Sequence, residues 1–122
     1  MIDRTEIVDV IDAYCRAITL QDKQGWLDLF ADCIRHEDPV NVRVNLGKDQ
    51  LAAFWETFVG LNIELSLTAP VIVCGNEAVA FMRSRMGPLE SRKEMAPIID
   101  TFVFDDAGRI TSVRAFYEQE WW

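Results

Sequence analysis

Met95-Ala-Pro-Ile-Ile-Asp-Thr-Phe-Val-Phe104 is a nearly continuous apolar run interrupted by one acid, Asp100. Its β-branched and aromatic residues predict a strand. Strand alternation places Asp100 on the face of Ile98, Phe102 and Phe104. An ionised carboxylate buried there without a partner is very costly, so the group stays protonated, and a neutral carboxylic acid can donate a hydrogen bond. If that face were the solvated one, Asp100 would simply be exposed; Phe102 and Phe104 beside it weigh against that.

Further strands flank this one. The patterning predicts Ile63–Cys74 and Glu77–Met86 before it and Arg109–Trp122 after it, with turns at Gly75-Asn76, Gly87-Pro88 and Asp106-Ala107-Gly108. A short strand spans Ile34–Asp38 and is stopped by Pro39. The first half is otherwise helical. Asp3 caps a helix in which Ile7, Ile11, Tyr14 and Ile18 recur at helical spacing, with Asp9, Asp12 and Arg16 facing out. Asp22 caps a second, short helix with Trp26, Leu29 and Phe30 inside. A third runs from Lys48 to Val59 and buries Leu51, Phe54, Trp55 and Phe58. Helices followed by antiparallel strands predict an α+β domain, with helices on one face of a curved sheet and a pocket between them.

The chain has 122 residues, half of them hydrophobic and 26% charged, which suits one globular domain over residues 1–122. Twelve basic against twenty acidic side chains give a net charge of −8. That balance argues against nucleic acid and against an anionic membrane surface as partners. A neutral or weakly charged ligand in an apolar interior stays open. Cys15, Cys33 and Cys74 are an odd number without a CxxC pair, and His36 is the single histidine, so zinc is not expected and the thiols read as reduced. There is no secretory h-region and no apolar run near the ~18 residues of a membrane span. A cytoplasmic protein is the expectation.

Two more polar groups join Asp100 on surfaces that periodicity assigns to the interior. Tyr14 lies on the buried stripe of the first helix, where its hydroxyl needs a partner even if the residue is only core. Asp38 ends the first strand directly before Pro39, which favours an extended backbone. A carboxylate at a strand end on a pocket rim suits a general base; a turn aspartate is the plainer alternative.

Helix Tyr14, Leu29-Phe30-Ala31-Asp32 leading to Glu37-Asp38-Pro39, Ala96-Pro97-Ile98-Ile99-Asp100 with Phe104, and Gly108-Arg109-Ile110 together resemble a bacterial ketosteroid isomerase. That family belongs to the cone-shaped α+β group called NTF2-like or SnoaL-like, and the resemblance covers nearly the whole chain. It implies three N-terminal helices on a curved, mostly antiparallel sheet enclosing an apolar pocket. It implies a reaction moving the double bond of a 3-oxosteroid from the 5,6 to the 4,5 position. Asp38 would take a proton from C4 and return it to C6, while Tyr14 and a protonated Asp100 donate to the dienolate oxygen. No metal or organic cofactor is implied; a homodimer through the open sheet face is. The pocket wall would comprise Phe54 and Trp55, Met82 and Met86, and Val113, Ala115 and Tyr117, although each also reads as plain core. The opposite face of the Met82 strand carries Val79, Phe81, Arg83 and Arg85, and a one-residue slip exchanges the two.

Some positions depart from the family. The tyrosine that supports the oxyanion-hole tyrosine is replaced, on this alignment of features, by Trp55, which can donate but not accept. His36 shares a strand face with Asp38, where an imidazolium would lower the Asp38 pKa and a neutral imidazole would orient the carboxylate; an incidental or interface histidine is the plainer reading. Arg83 and Arg85 would face a dimer interface or a more polar substrate. The terminal Trp121 and Trp122 would plug the core or fill a subunit contact. A polyketide cyclase, a dehydratase, an epoxide hydrolase using an Asp–Arg–Asp set, and a non-catalytic binding module are the alternatives, since one fold serves them all.

Overall fold

A computed structural model describes residues 2–118. Three helices, α1 (Arg4–Thr19), α2 (Lys23–Leu27) and α3 (Gly47–Phe58), pack against an open eight-stranded sheet. The strands are β1 (Phe30–Glu37), β2 (Val44–Leu46), β3 (Glu64–Leu67), β4 (Ile72–Cys74), β5 (Glu77–Met86), β6 (Lys93–Glu94), β7 (Ile98–Phe104) and β8 (Ile110–Phe116). The main order is β2-β1-β8-β7-β5-β3, with β4 and β6 also paired to β5. Only the β1–β8 pair is parallel among the described strands; the rest are antiparallel.

Local chemistry starts the helices where the sequence predicts. The Asp3 carboxylate accepts from the Glu6 N–H at 2.9 Å, and Asp22 accepts from the Gly25 N–H at 3.0 Å. Ile7, Ile11, Tyr14 and Ile18 of α1 are buried toward the sheet. Burying Ile7 and Ile11 completely is worth roughly 1.5–3 kcal/mol each.

Four expectations need correction. Phe30 is not helical: α2 is a single short turn ending at Leu27, and Phe30 opens β1, which starts earlier than Ile34 and ends at Glu37. The strand expected over Ile63–Cys74 is two, β3 and β4, because Pro70 cannot donate to a ladder and the chain bends there. The final strand stops at Phe116, and the expectations for Trp121 and Trp122 lie outside the described residues. The short strands β2 and β6 are additional.

The sheet register fixes the inner face. Ala78, Ala80, Met82, Ser84 and Met86 of β5 point inward. Arg83 and Arg85 point away and meet Glu94 at 3.6 Å and Glu64 at 3.2 Å, so neither enters the interior. Asp100 of β7 lies between Ala80 of β5 and Ala115 of β8. Two small neighbours leave open space above its carboxyl. The next cross-strand pair, Phe102 with Val113, is fully packed and closes the narrow end.

Candidate active site

A cavity of about 510 Å³ opens between the helices and the wide end of the sheet, the size range of sites for drug-sized ligands. Tyr14 reaches it from α1, Asp38 from the end of β1 and Asp100 from the middle of β7. Phe54, Thr57 and Phe58 form one side, with Leu61, Ile63 and Leu65 after them. Ser84, Met86, Ile98, Ala115 and Tyr117 form the sheet side.

Of the wall expected from the sequence, Phe54, Met86, Ala115 and Tyr117 line this cavity. Trp55, Met82 and Val113 do not; all three are buried in the core behind it. The reason for Trp55 is helical rotation: it follows Phe54 by about 100°, so it shares the Leu51 face and packs on Trp26. Met82 pairs across the sheet with Ile98 and Leu67, and Val113 belongs to the closed Phe102 row. The indole beside Tyr14 is therefore Trp26, at 6.2 Å between ring centroids, and not Trp55. Phe30 and Phe102 complete the ring cage of Tyr14.

Electrostatics separates the two acids. Asp100 is 3% exposed and its Oδ1 has no hydrogen-bond partner among the described residues. Burial, and then the charge of Asp38, push its carboxyl well above the usual range, which favours the protonated acid. Asp38 is raised less, to about 6: burial lifts it, while the Tyr117 hydroxyl and Arg43 pull it back. Tyr117 donates to Asp38 Oδ1 at 2.5 Å. Tyr14 is held well above its ordinary value by burial and by the charges of Asp100 and Asp38, so it stays a donor. Burial also pushes the Cys15 thiol up to about 12, which keeps it an inert core group.

Several groups at this site escaped the sequence reading. Arg43 lines the cavity, lies 4.9 Å from the Phe54 ring centroid, and donates from Nε to Asn45 Oδ1 at 3.1 Å. Asn45 in turn contacts His36 Nδ1 at 3.1 Å. Buried His36 is not an interface residue; it is enclosed by Trp26 and Phe54. Among the described residues, the buried polar atoms with no hydrogen-bond partner are Trp26 Nε1, His36 Nε2, Ser84 Oγ and Asp100 Oδ1. Three of these residues line the cavity, and the fourth faces Asp38. Such orphans mark a site whose polar groups a ligand can satisfy. Among the described residues no three His, Cys, Asp or Glu side chains gather as a metal site, and no helix is long and apolar enough to cross a membrane.

Residues 11–113 match the family model of the SnoaL-like domain. The chain belongs to the SnoaL-like family. The Steroid Delta-isomerase of Nocardioides simplex is 28% identical over 112 residues, covering 92% of this chain and 89% of that protein. Among solved structures, RV0760c from Mycobacterium tuberculosis in complex with estradiol-17beta-hemisuccinate superposes with a TM-score of 0.82 at 19% identity, over 95% of this chain and 96% of the other. SalBIII, an epoxide hydrolase/cyclase-like enzyme in pyran ring formation in polyether salinomycin, superposes at 0.86 with 19% identity, over 99% and 97%. At these identities the two structures establish the shared NTF2-like fold.

Proposed function

We propose that this SnoaL-like protein is an enzyme, a steroid Δ-isomerase that converts a 3-oxo-Δ5-steroid to its Δ4 isomer. The observation that carries the reading is one apolar cavity lined by Tyr14, Asp38 and Asp100, with both carboxyls raised and Asp38 held back by polar neighbours that Asp100 lacks. The ionised Asp38 carboxylate takes a proton from C4. Electrons move into the C3 carbonyl and a dienolate forms. Tyr14 and protonated Asp100 donate hydrogen bonds to its oxygen, which carries more charge than in the ketone, so they favour the transition state over bound substrate. The Asp38 carboxylic acid then returns the proton to C6 and is a carboxylate again. Nothing is consumed and no cofactor is needed. Phe54, Met86 and Ala115 supply apolar wall against a flat ring system. The similarity to a steroid Δ-isomerase supports the substrate class. Absorbance of the conjugated enone formed from 5-androstene-3,17-dione tests the reading: turnover that vanishes in Asp38→Asn is expected, and no turnover in the unaltered protein refutes it.

A second reading rests on Arg43, which joins Asp38 and Asp100 at the cavity and supplies the cation that an Asp–Arg–Asp epoxide-opening set needs. Asp100 would protonate the epoxide oxygen while Asp38 deprotonates the attacking hydroxyl. Release of a diol or cyclic ether from an apolar epoxide, without isomerisation of the steroid, would favour it. In either case the working unit is a homodimer through the outer sheet face, where Ile72, Ile99 and Phe116 are exposed. Sedimentation showing only monomer at micromolar concentration would contradict this assembly.

A further inference from the structure

We propose that His36 is a positioning residue for the general base: a neutral imidazole, locked as the Nε2–H tautomer by Asn45 and Arg43, whose N–H is aimed at Asp38 Oδ2. This rests on the reading of Asp38 as the base. The assignment runs inward from Arg43. A guanidinium can only donate, so its Nε fixes the Asn45 amide with the oxygen toward it, at 3.1 Å. The amide nitrogen then faces His36 Nδ1, also at 3.1 Å. Turning the amide over would set N–H against N–H. An amide nitrogen can only donate, so Nδ1 is the acceptor and the ring proton sits on Nε2.

Among the described residues, that proton faces no acceptor other than Asp38. His36 is completely buried, and its Nε2 is one of the orphaned buried atoms. Asp38 Oδ2 lies 3.7 Å away, beyond a hydrogen bond but within a small side-chain rotation. Contacts of this kind tighten in the complex with substrate. The ring itself is held, with Phe54 at 5.1 Å and the edge of Trp26 at 6.1 Å between centroids. Tyr117 already holds Oδ1. With His36 on Oδ2, both carboxylate oxygens are aligned by neutral donors. An imidazolium would instead sap the base; burial, and then the Arg43 charge, hold the ring to a pKa of about 4 and so prevent it. The charged and titratable groups around the pair are Arg43 from the loop before β2, Tyr117 beyond β8, Asp100 from β7 and Tyr14 from α1.

The chain has one histidine, so its imidazole ¹⁵N spectrum is unambiguous. At neutral pH a neutral ring protonated on Nε2 is expected. A ring protonated on Nδ1, or a charged ring, overturns the inference, and this measurement needs no variant. The ¹³C titration of the Asp38 carboxyl in His36→Leu should move upward, because the ionised form loses its donor, and His36→Gln should restore it. An unmoved titration in folded His36→Leu also overturns the inference. In turnover, His36→Leu should lower kcat about tenfold with KM nearly unchanged, and its acid limb should shift upward with the carboxyl. His36→Gln should recover most of the rate. The spectroscopic results are independent of substrate: if they hold while the unaltered protein isomerises nothing, the positioning stands and the proposed activity falls.

Discussion

The two ends of the cavity treat the same functional group in opposite ways. At the rim, Asp38 follows the last residue of β1, with the Tyr117 hydroxyl bonded to it, Arg43 nearby and an 18% exposed side chain. On the floor, Asp100 sits mid-strand between two alanines, with apolar residues along its own face and no hydrogen-bond partner for Oδ1 among the described residues. Burial raises both, yet polar company limits the rise only at the rim. Glu37, adjacent to Asp38 but on the outer face, shows the same rule reversed: its hydrogen bond to Arg114 holds its carboxyl below the ordinary value. Strand alternation alone sends neighbouring acids into different chemistry.

The largest effect should come from removing the rim acid. Asp38→Asn is expected to cut isomerisation by at least about a thousandfold while a phenolic steroid analogue still binds. Near-normal turnover would show that the rim carboxylate is not the base. In the unaltered protein kcat/KM for the proposed reaction should rise with pH through about 6, as Asp38 ionises, and level off above. It should fall again only where Asp100 or Tyr14 loses its proton, since both are held well above their ordinary values. A profile still flat well below pH 6 would mean that the rim is more solvated than its packing indicates.

Floor substitutions should cost less, because in the proposed reaction two donors share the oxyanion. Tyr14→Phe and Asp100→Ala are each expected to slow turnover about a hundredfold. Asp100→Asn keeps an N–H donor and should lose only about tenfold. Equal losses for Ala and Asn at position 100 would indicate that geometry, and not donation, is what Asp100 contributes.

The floor was far more legible in sequence than the rim. Asp100 stands alone in an apolar strand, and Tyr14 falls on a clear helical stripe, so periodicity alone points to both. Trp26 and Phe58 likewise announce themselves as interior residues. Around Asp38 the cues fail for identifiable reasons. The Val44-Asn45-Leu46 strand is inverted, with asparagine buried and both apolar residues exposed, so hydrophobic patterning hides the residue that fixes His36. Arg43 joins the cavity through a loop that turns back after Pro39, and no local motif foretells that. Trp55 was misplaced because one helical step separates the cavity face from the core face. The split between β3 and β4 had a visible warning in Pro70.

A further effect should appear in stability, and it runs against function. Asp38 has a folded pKa of about 6 against an ordinary value of 3.8. Between those values the folded protein holds a proton that the unfolded chain has released. The folded state binds more protons, so this residue's contribution to stability falls as pH rises through that window and stays low above it. A raised carboxyl therefore opposes folding at the pH where the proposed base would be ionised. Asp38→Asn removes that penalty, because an amide does not ionise. Urea unfolding should find the variant more stable than the unaltered protein by about 3 kcal/mol at pH 8, with the gap closing toward pH 4. A gap that does not change with pH would mean that Tyr117, Arg43 and His36 already compensate the buried charge in full, and the rim would then be a solvated site in electrostatic terms despite its burial.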